Sequence, residues 1–172
     1  MVVQLRTTLD SLSWTWRFVL SRLALVLGLG AVAGASRAVA RLWEDSAPVA
    51  LLEVVTWVSR IVLVLLAIRI GILADPRFRR DAVGERVDRF LAERWPSLVV
   101  DSLLLLVVFV LFSIPEWAAS GLQGIEEDRY WAALLAVKNL TVIPLTFLWV
   151  VSVARQAVLY ESHVPSVRPS GV

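Results

Sequence analysis

Residues 98–119 read LVVDSLLLLVVFVLFSIPEWAA. A helix crossing the hydrocarbon of a bilayer needs about 20 residues to cover roughly 30 Å, and this stretch is long enough. Apolar side chains fall on every side of the helix it would form. A helix in water keeps them to one stripe, so lipid is the expected solvent.

Three further stretches share this character, over residues 18–36, 50–74 and 131–154. The composition agrees: 58% of residues are apolar, 19% are charged, and mean hydropathy is +0.74. Soluble domains run nearer 45–50% apolar, and a chain of 172 residues cannot hide such an excess in one core. The fold class expected is an all-α integral membrane protein, a four-transmembrane-helix bundle occupying residues 1–160, with a disordered cytoplasmic tail over 161–172.

The first stretch also has features of a secretion signal. Arg17 and Arg22 precede the apolar run Leu23–Leu29, and Ala33-Gly34-Ala35 resembles a cleavage site. The long segment before it, with Asp10, Trp14 and Trp16, favours a retained helix. The second stretch carries Arg60. Thirteen Val, Ile or Leu residues between Val54 and Leu73 supply about −5 kcal/mol of insertion energy. A central arginine costs about 3 kcal/mol on the same scale, so insertion wins narrowly.

Arginine placement sets the expected orientation. Between the second and third spans lie Arg77, Arg79, Arg80, Arg86, Arg89 and Arg94, whereas the loop before the fourth carries Glu126, Glu127 and Asp128. The positive-inside rule puts the arginine-rich segment, and with it both termini, in the cytoplasm of a multi-pass cell-membrane protein. Arg37 and Arg41 in the first outer loop fit that rule less well. Trp14, Trp16, Trp43, Trp95, Trp117 and Trp131 fall near span ends, where indole rings favour the headgroup zone. Trp57 and Trp149 lie deeper and are expected between helices.

Asp75-Pro76 reads as a helix cap followed by proline at the first helical position. Val83, Val87, Phe90 and Leu91 then fall on one face. An amphipathic cytoplasmic helix over 76–94, lying on the inner leaflet with Arg77–Arg94 near anionic lipid, is the expectation.

Ionisable residues within the spans are the candidate site, because lipid makes an idle charge expensive. Glu53, Arg60, Lys138 and Asn139 lie in the outer half. A Glu53–Lys138 pair above Arg60 would form a polar seam, either a register-fixing ion pair or a path for an ion or small solute. Arg22, Arg69 and Asp101 lie near the inner face and suggest a clamp across three helices, with snorkelling of the arginines as the alternative. Gly30 and Gly34 have the spacing of a close helix-packing face, within the chain or in a homo-oligomer. Pro144 is expected to kink the fourth span. Asn139-Leu140-Thr141 matches a glycosylation pattern but lies within a span.

Several function classes are disfavoured. A net charge of +2 argues against nucleic acid. With no cysteine and one histidine, His163, thiol catalysis and thiolate metal sites are excluded and no cofactor is expected. No phosphate loop or nucleophile elbow occurs. A structural or accessory subunit of a membrane complex, not an enzyme, is the leading expectation; a small transporter or channel using the polar seam is the alternative. Partners would be the lipid bilayer and a second copy or another membrane protein.

Overall fold

The computed structural model describes residues 2–43, 45–118 and 125–161. They form helices joined by short turns, with no strand among them. In chain order the helices are α1 (Val2–Ser21), α2 (Leu23–Leu42), α3 (Val49–Ile68), α4 (Val83–Ala118), α5 (Ile125–Leu140) and α6 (Val142–Val158). A π-helical turn, Arg69–Leu73, extends α3, and a 3-10 turn, Arg80–Ala82, leads into α4. Four segments are long and apolar enough to cross a membrane: Leu23–Leu42, Val49–Leu73, Arg80–Trp117 and Glu126–Val158.

The molecule is built inside out relative to a soluble protein. Phe109 and Trp117 are 71% and 65% exposed, while Ser11, Thr56 and Ser97 are fully buried. Small hydroxyl side chains let helices approach closely, and several satisfy themselves on their own backbones. Thr56 and Ser59 donate to the carbonyls of Leu52 and Val55, one turn earlier. Many large apolar side chains, Phe109, Leu65 and Leu103 among them, face outward, where lipid would cover them.

The first span differs from its expected position at 18–36. Arg22 leaves helical geometry, with φ −131° and ψ 33°, and separates two helices. The apolar helix starts at Leu23 and carries Arg37 and Arg41 in its last turns. Before it, α1 is a helix of its own, packed between α4 and α6. Its buried face is Thr8, Ser11, Thr15 and Phe18, and its outward face is Leu9, Leu12, Trp16 and Leu20. Hydroxyls inward and leucines outward is the opposite of the pattern that marks a water-soluble amphipathic helix, which is why the sequence hid it. It is tied down by Ser152, whose hydroxyl donates to the Ser11 carbonyl at 3.1 Å, and by Gln156, whose amide donates to the Thr7 carbonyl at 2.9 Å.

The helix expected over 76–94 begins later and does not stop. Residues 74–77 form turns and a bend, and 78–79 are irregular. Asp75 accepts from the Arg77 amide at 3.0 Å, a turn-forming use of its carboxylate that takes the place of a helix cap. Helix α4 then runs 36 residues without interruption into the third span. Its length of about 54 Å far exceeds a roughly 30 Å hydrocarbon layer. The face expected to meet lipid is partly filled by the chain itself: Phe90 is buried edge-on against Tyr160, with ring centroids 5.5 Å apart.

The fourth span is two helices. The break falls at Thr141, with φ −119° and ψ −72°. Pro144 explains it, having no N–H for the Leu140 carbonyl and a ring that crowds that turn. Against this bent pair lies α2, through Gly30 and Gly34. A Cβ on Gly34 would lie 2.9 Å from the Ala136 carbonyl oxygen, and one on Gly30 would lie 3.0 Å from that of Asn139. The Gly30/Gly34 face is therefore occupied by α5 of the same chain and leaves no room there for a second copy.

The apolar core gathers Phe18, Val26, Leu63, Ala67, Ile72, Leu148 and Val151 from α1, α2, α3, the π turn and α6. Trp149 is buried, as expected, but Trp57 is 53% exposed on the outer surface of α3. The expected tail, 161–172, lies outside the described residues from 162 onward.

Candidate functional site

The end of the bundle at the α2–α3 turn, the expected outer half, holds the seam residues in a different pairing. Glu53 and Lys138 do not meet. Arg37 of α2 donates to Glu53 of α3 at 2.8 Å. Lys138 of α5 donates to Glu116 near the end of α4 at 2.5 Å. The cause is the placement of α2, which packs along both α3 and α5. Its Arg37 intercepts Glu53, and Lys138 turns to the other neighbour. Arg41 of α2 similarly reaches Asp128 of α5 at 2.8 Å. The two arginines that fit poorly with an outer location are thus each matched by an acid on an adjacent helix.

Arg60 is treated differently. Its Nη2 donates to the side-chain oxygen of Asn139 at 2.7 Å. Asn139, only 2% exposed, donates in turn to the Leu135 carbonyl at 2.8 Å, which fixes its amide for that role. The guanidinium lies 5.1 Å from the Trp57 ring centroid, one turn nearer the start of α3, a favourable cation–π placement. No carboxylate among the described residues pairs with Arg60, and its buried Nε has no hydrogen-bond partner. Across Arg37, Arg60 and Lys138, three cations face two carboxylates, Glu53 and Glu116.

Beside this group is a cleft of about 870 Å³ between α4 and the α5–α6 pair. Helix α4 packs along α1 and α6 and meets α5 through side chains at its end, Lys138 with Glu116 and Tyr130 with the Pro115 carbonyl. The α4 side of the cleft carries Leu105, Leu106, Phe109 and Phe112, with the Lys138-paired Glu116 at its end; the other side presents Arg60, Lys138 and Asn139.

The inner set does not form a clamp. Asp101 is 3% exposed, yet Arg22 and Arg69 are both exposed and make no ion pair with it. Helix α1 is the reason. Its hydroxyl face is buried where α4 passes, and Thr8 is the residue next to Asp101. Asp101 Oδ1 and Ser97 Oγ are buried there without a hydrogen-bond partner.

The charges that do tie the inner end were missed. Arg155 of α6 donates to Asp75 at 2.6 Å and to the Gly71 carbonyl at 2.8 Å. Arg77 also donates to Asp75, at 3.1 Å. The Arg77 guanidinium first, and Arg155 with it, hold the Asp75 carboxyl well below the usual carboxylate range. Trp14 of α1 covers the knot, 5.7 Å from the Arg155 guanidinium. It packs so closely on Gly71 that a Cβ there would meet its ring at 2.4 Å. Asp75 and Arg155 stand at the inner ends of their spans, so the depth count used for the outer set would have paired them. No group of three metal-ligating side chains gathers among the described residues.

Comparison with protein-family models, with curated proteins and with solved structures finds no match to this chain.

Proposed function

We propose that this chain is a structural or accessory component of a cell membrane, multi-pass and non-enzymatic, with both termini cytoplasmic. One observation carries the reading: the outer-half charges join neighbouring helices in closed pairs, Arg37–Glu53, Arg41–Asp128 and Lys138–Glu116. Such pairs fix helix register and leave no continuous row of free ionisable groups along which an ion would pass. Orientation rests on the arginine count between the second and third spans. Contact of Arg77–Arg94 with anionic lipid belongs to the same proposal.

Movement of an ion or solute is a second reading, favoured by the cleft beside Arg60. Flux in proteoliposomes separates the two. The accessory reading expects ion leakage no greater than in protein-free vesicles, and unchanged in Glu53→Gln and Lys138→Met. It also expects isolation in gentle detergent with a partner in fixed ratio. Selective flux abolished by Lys138→Met, or a solitary monomer on isolation, would overturn it.

A further inference from the structure

Arg60 sits about 12 residues into a membrane-spanning helix, some 16 Å from its start at 1.5 Å per residue. A charge at that depth is expensive unless something compensates it. Asn139 supplies a neutral acceptor and Trp57 a ring face, and neither cancels the charge. The nearby carboxylates are taken, Glu53 by Arg37 and Glu116 by Lys138. The buried Nε of Arg60 remains unpartnered, and the residue lines a cleft of about 870 Å³, a size typical of small-molecule sites.

We propose that this cleft is a binding site for an acidic membrane lipid, with the oxyanion headgroup at Arg60 and the hydrocarbon against α4. Guanidinium and phosphate are matched in charge and geometry. The cation–π contact with Trp57 draws the Arg60 head toward the outer end of α3, shortening the distance to headgroup level. The apolar wall of Leu105, Leu106, Phe109 and Phe112 selects a lipid over a free anion, since a hydrated ion would leave that wall idle. The site stands independently of the accessory role, since it requires only Arg60, Asn139 and the apolar wall.

The test uses the purified full chain in neutral maltoside micelles. Phosphatidylglycerol, phosphatidylcholine and inorganic phosphate are added separately. Retained lipid is read by native mass spectrometry and Tm by thermal unfolding. Wild type should hold phosphatidylglycerol about tenfold better than phosphatidylcholine and gain Tm from it. Arg60→Lys should keep most of that preference and Arg60→Gln should lose it. Ser102→Phe, at an exposed position lining the cleft, should lose it by filling the space, and it decides the matter should Arg60→Gln misfold. Arg79→Gln, on the inner turn, should behave as wild type.

Equal retention of both lipids by wild type overturns the proposal. So does an undiminished preference in Arg60→Gln or Ser102→Phe, which would locate the acidic lipid on the inner-face arginines. Displacement of phosphatidylglycerol by inorganic phosphate alone would identify a free-anion site instead of a lipid one.

Discussion

The two ends of the bundle hold their charges in contrasting ways. At the outer end, acids and bases meet one to one across neighbouring helices, and several partners are more than a third exposed, such as Glu53 at 48% and Glu116 at 37%. At the inner end, a single carboxylate, Asp75, takes two arginines, and its side chain is 12% exposed. Trp14 and Gly71 close over it. Exposed pairs contribute little each and can be exchanged. The Asp75–Arg155 pair is costly to open, because removing one member leaves the other desolvated and unpaired, while Arg77 joins it from the exposed side. The inner end should therefore behave as the rigid end, and the outer end as the adjustable one.

The largest effect expected is steric and would uncouple the outer end from that contrast. Gly34→Leu must push α2 away from the α5 backbone, which even a Cβ approaches to 2.9 Å. A loss of about 3 kcal/mol, read as Tm in detergent, is expected. A near-neutral Gly34→Leu would mean that α2 and α5 are further apart than described.

Asp75→Asn comes next, at about 2–3 kcal/mol, and it has a pH signature. The folded carboxyl is held below its ordinary range by Arg77 and Arg155. Its stabilisation is therefore complete above the unfolded carboxylate value near pH 4 and is lost as pH falls toward the lower folded value. The Tm gap between wild type and Asp75→Asn should stay constant from pH 7 to 5 and narrow below about pH 4. A gap that grows on acidification would contradict the knot.

Smaller still is the Lys138–Glu116 pair. A double-mutant cycle with Lys138→Met and Glu116→Gln should give a coupling of about 1 kcal/mol. The same cycle on Glu53 and Lys138 should give none, and coupling there would restore the seam expected from the sequence. The smallest effect belongs to Asp101→Asn. No arginine pairs with Asp101, so Tm should move by less than about 1 kcal/mol equivalent, in either direction. A clamp would instead cost about 3–5 kcal/mol on losing its charge.

The parts of the fold legible in the sequence are those governed by one-dimensional length and apolar content. Four apolar helical stretches and the bend before Pro144 are of this kind. What was not legible depends on which helices are neighbours. Glu53 and Lys138 share a depth, but nothing in their spacing tells that α2 stands between them with Arg37. Helix α1 was missed because its Thr8, Ser11 and Thr15 face turns inward, a periodicity that reads as surface when hydrophobic residues are assumed to mark the core. The start of α4 was misplaced because Asp75-Pro76 has the form of a helix cap, and only the arrival of Arg155 from a distant segment commits Asp75 to another use. Arg60 was recognised as a costly charge from depth alone, and its amide partner Asn139 was among the seam residues. The cleft beside it could not be read, since its walls come from α4, α5 and α6, which only the fold brings together.

Lipid is expected to cover the outward apolar faces, and the absence of native cysteine makes that directly measurable. Single variants Phe109→Cys, Leu65→Cys and Arg79→Cys would be treated with a membrane-impermeant, water-soluble maleimide in open membrane fragments. Phe109 and Leu65 are 71% and 59% exposed in the protein, yet their cysteines should remain unlabelled until detergent is added, while the Arg79 position labels at once. Labelling of the 109 and 65 positions as fast as the 79 position, with the membrane intact, would mean that water and not hydrocarbon surrounds these helices.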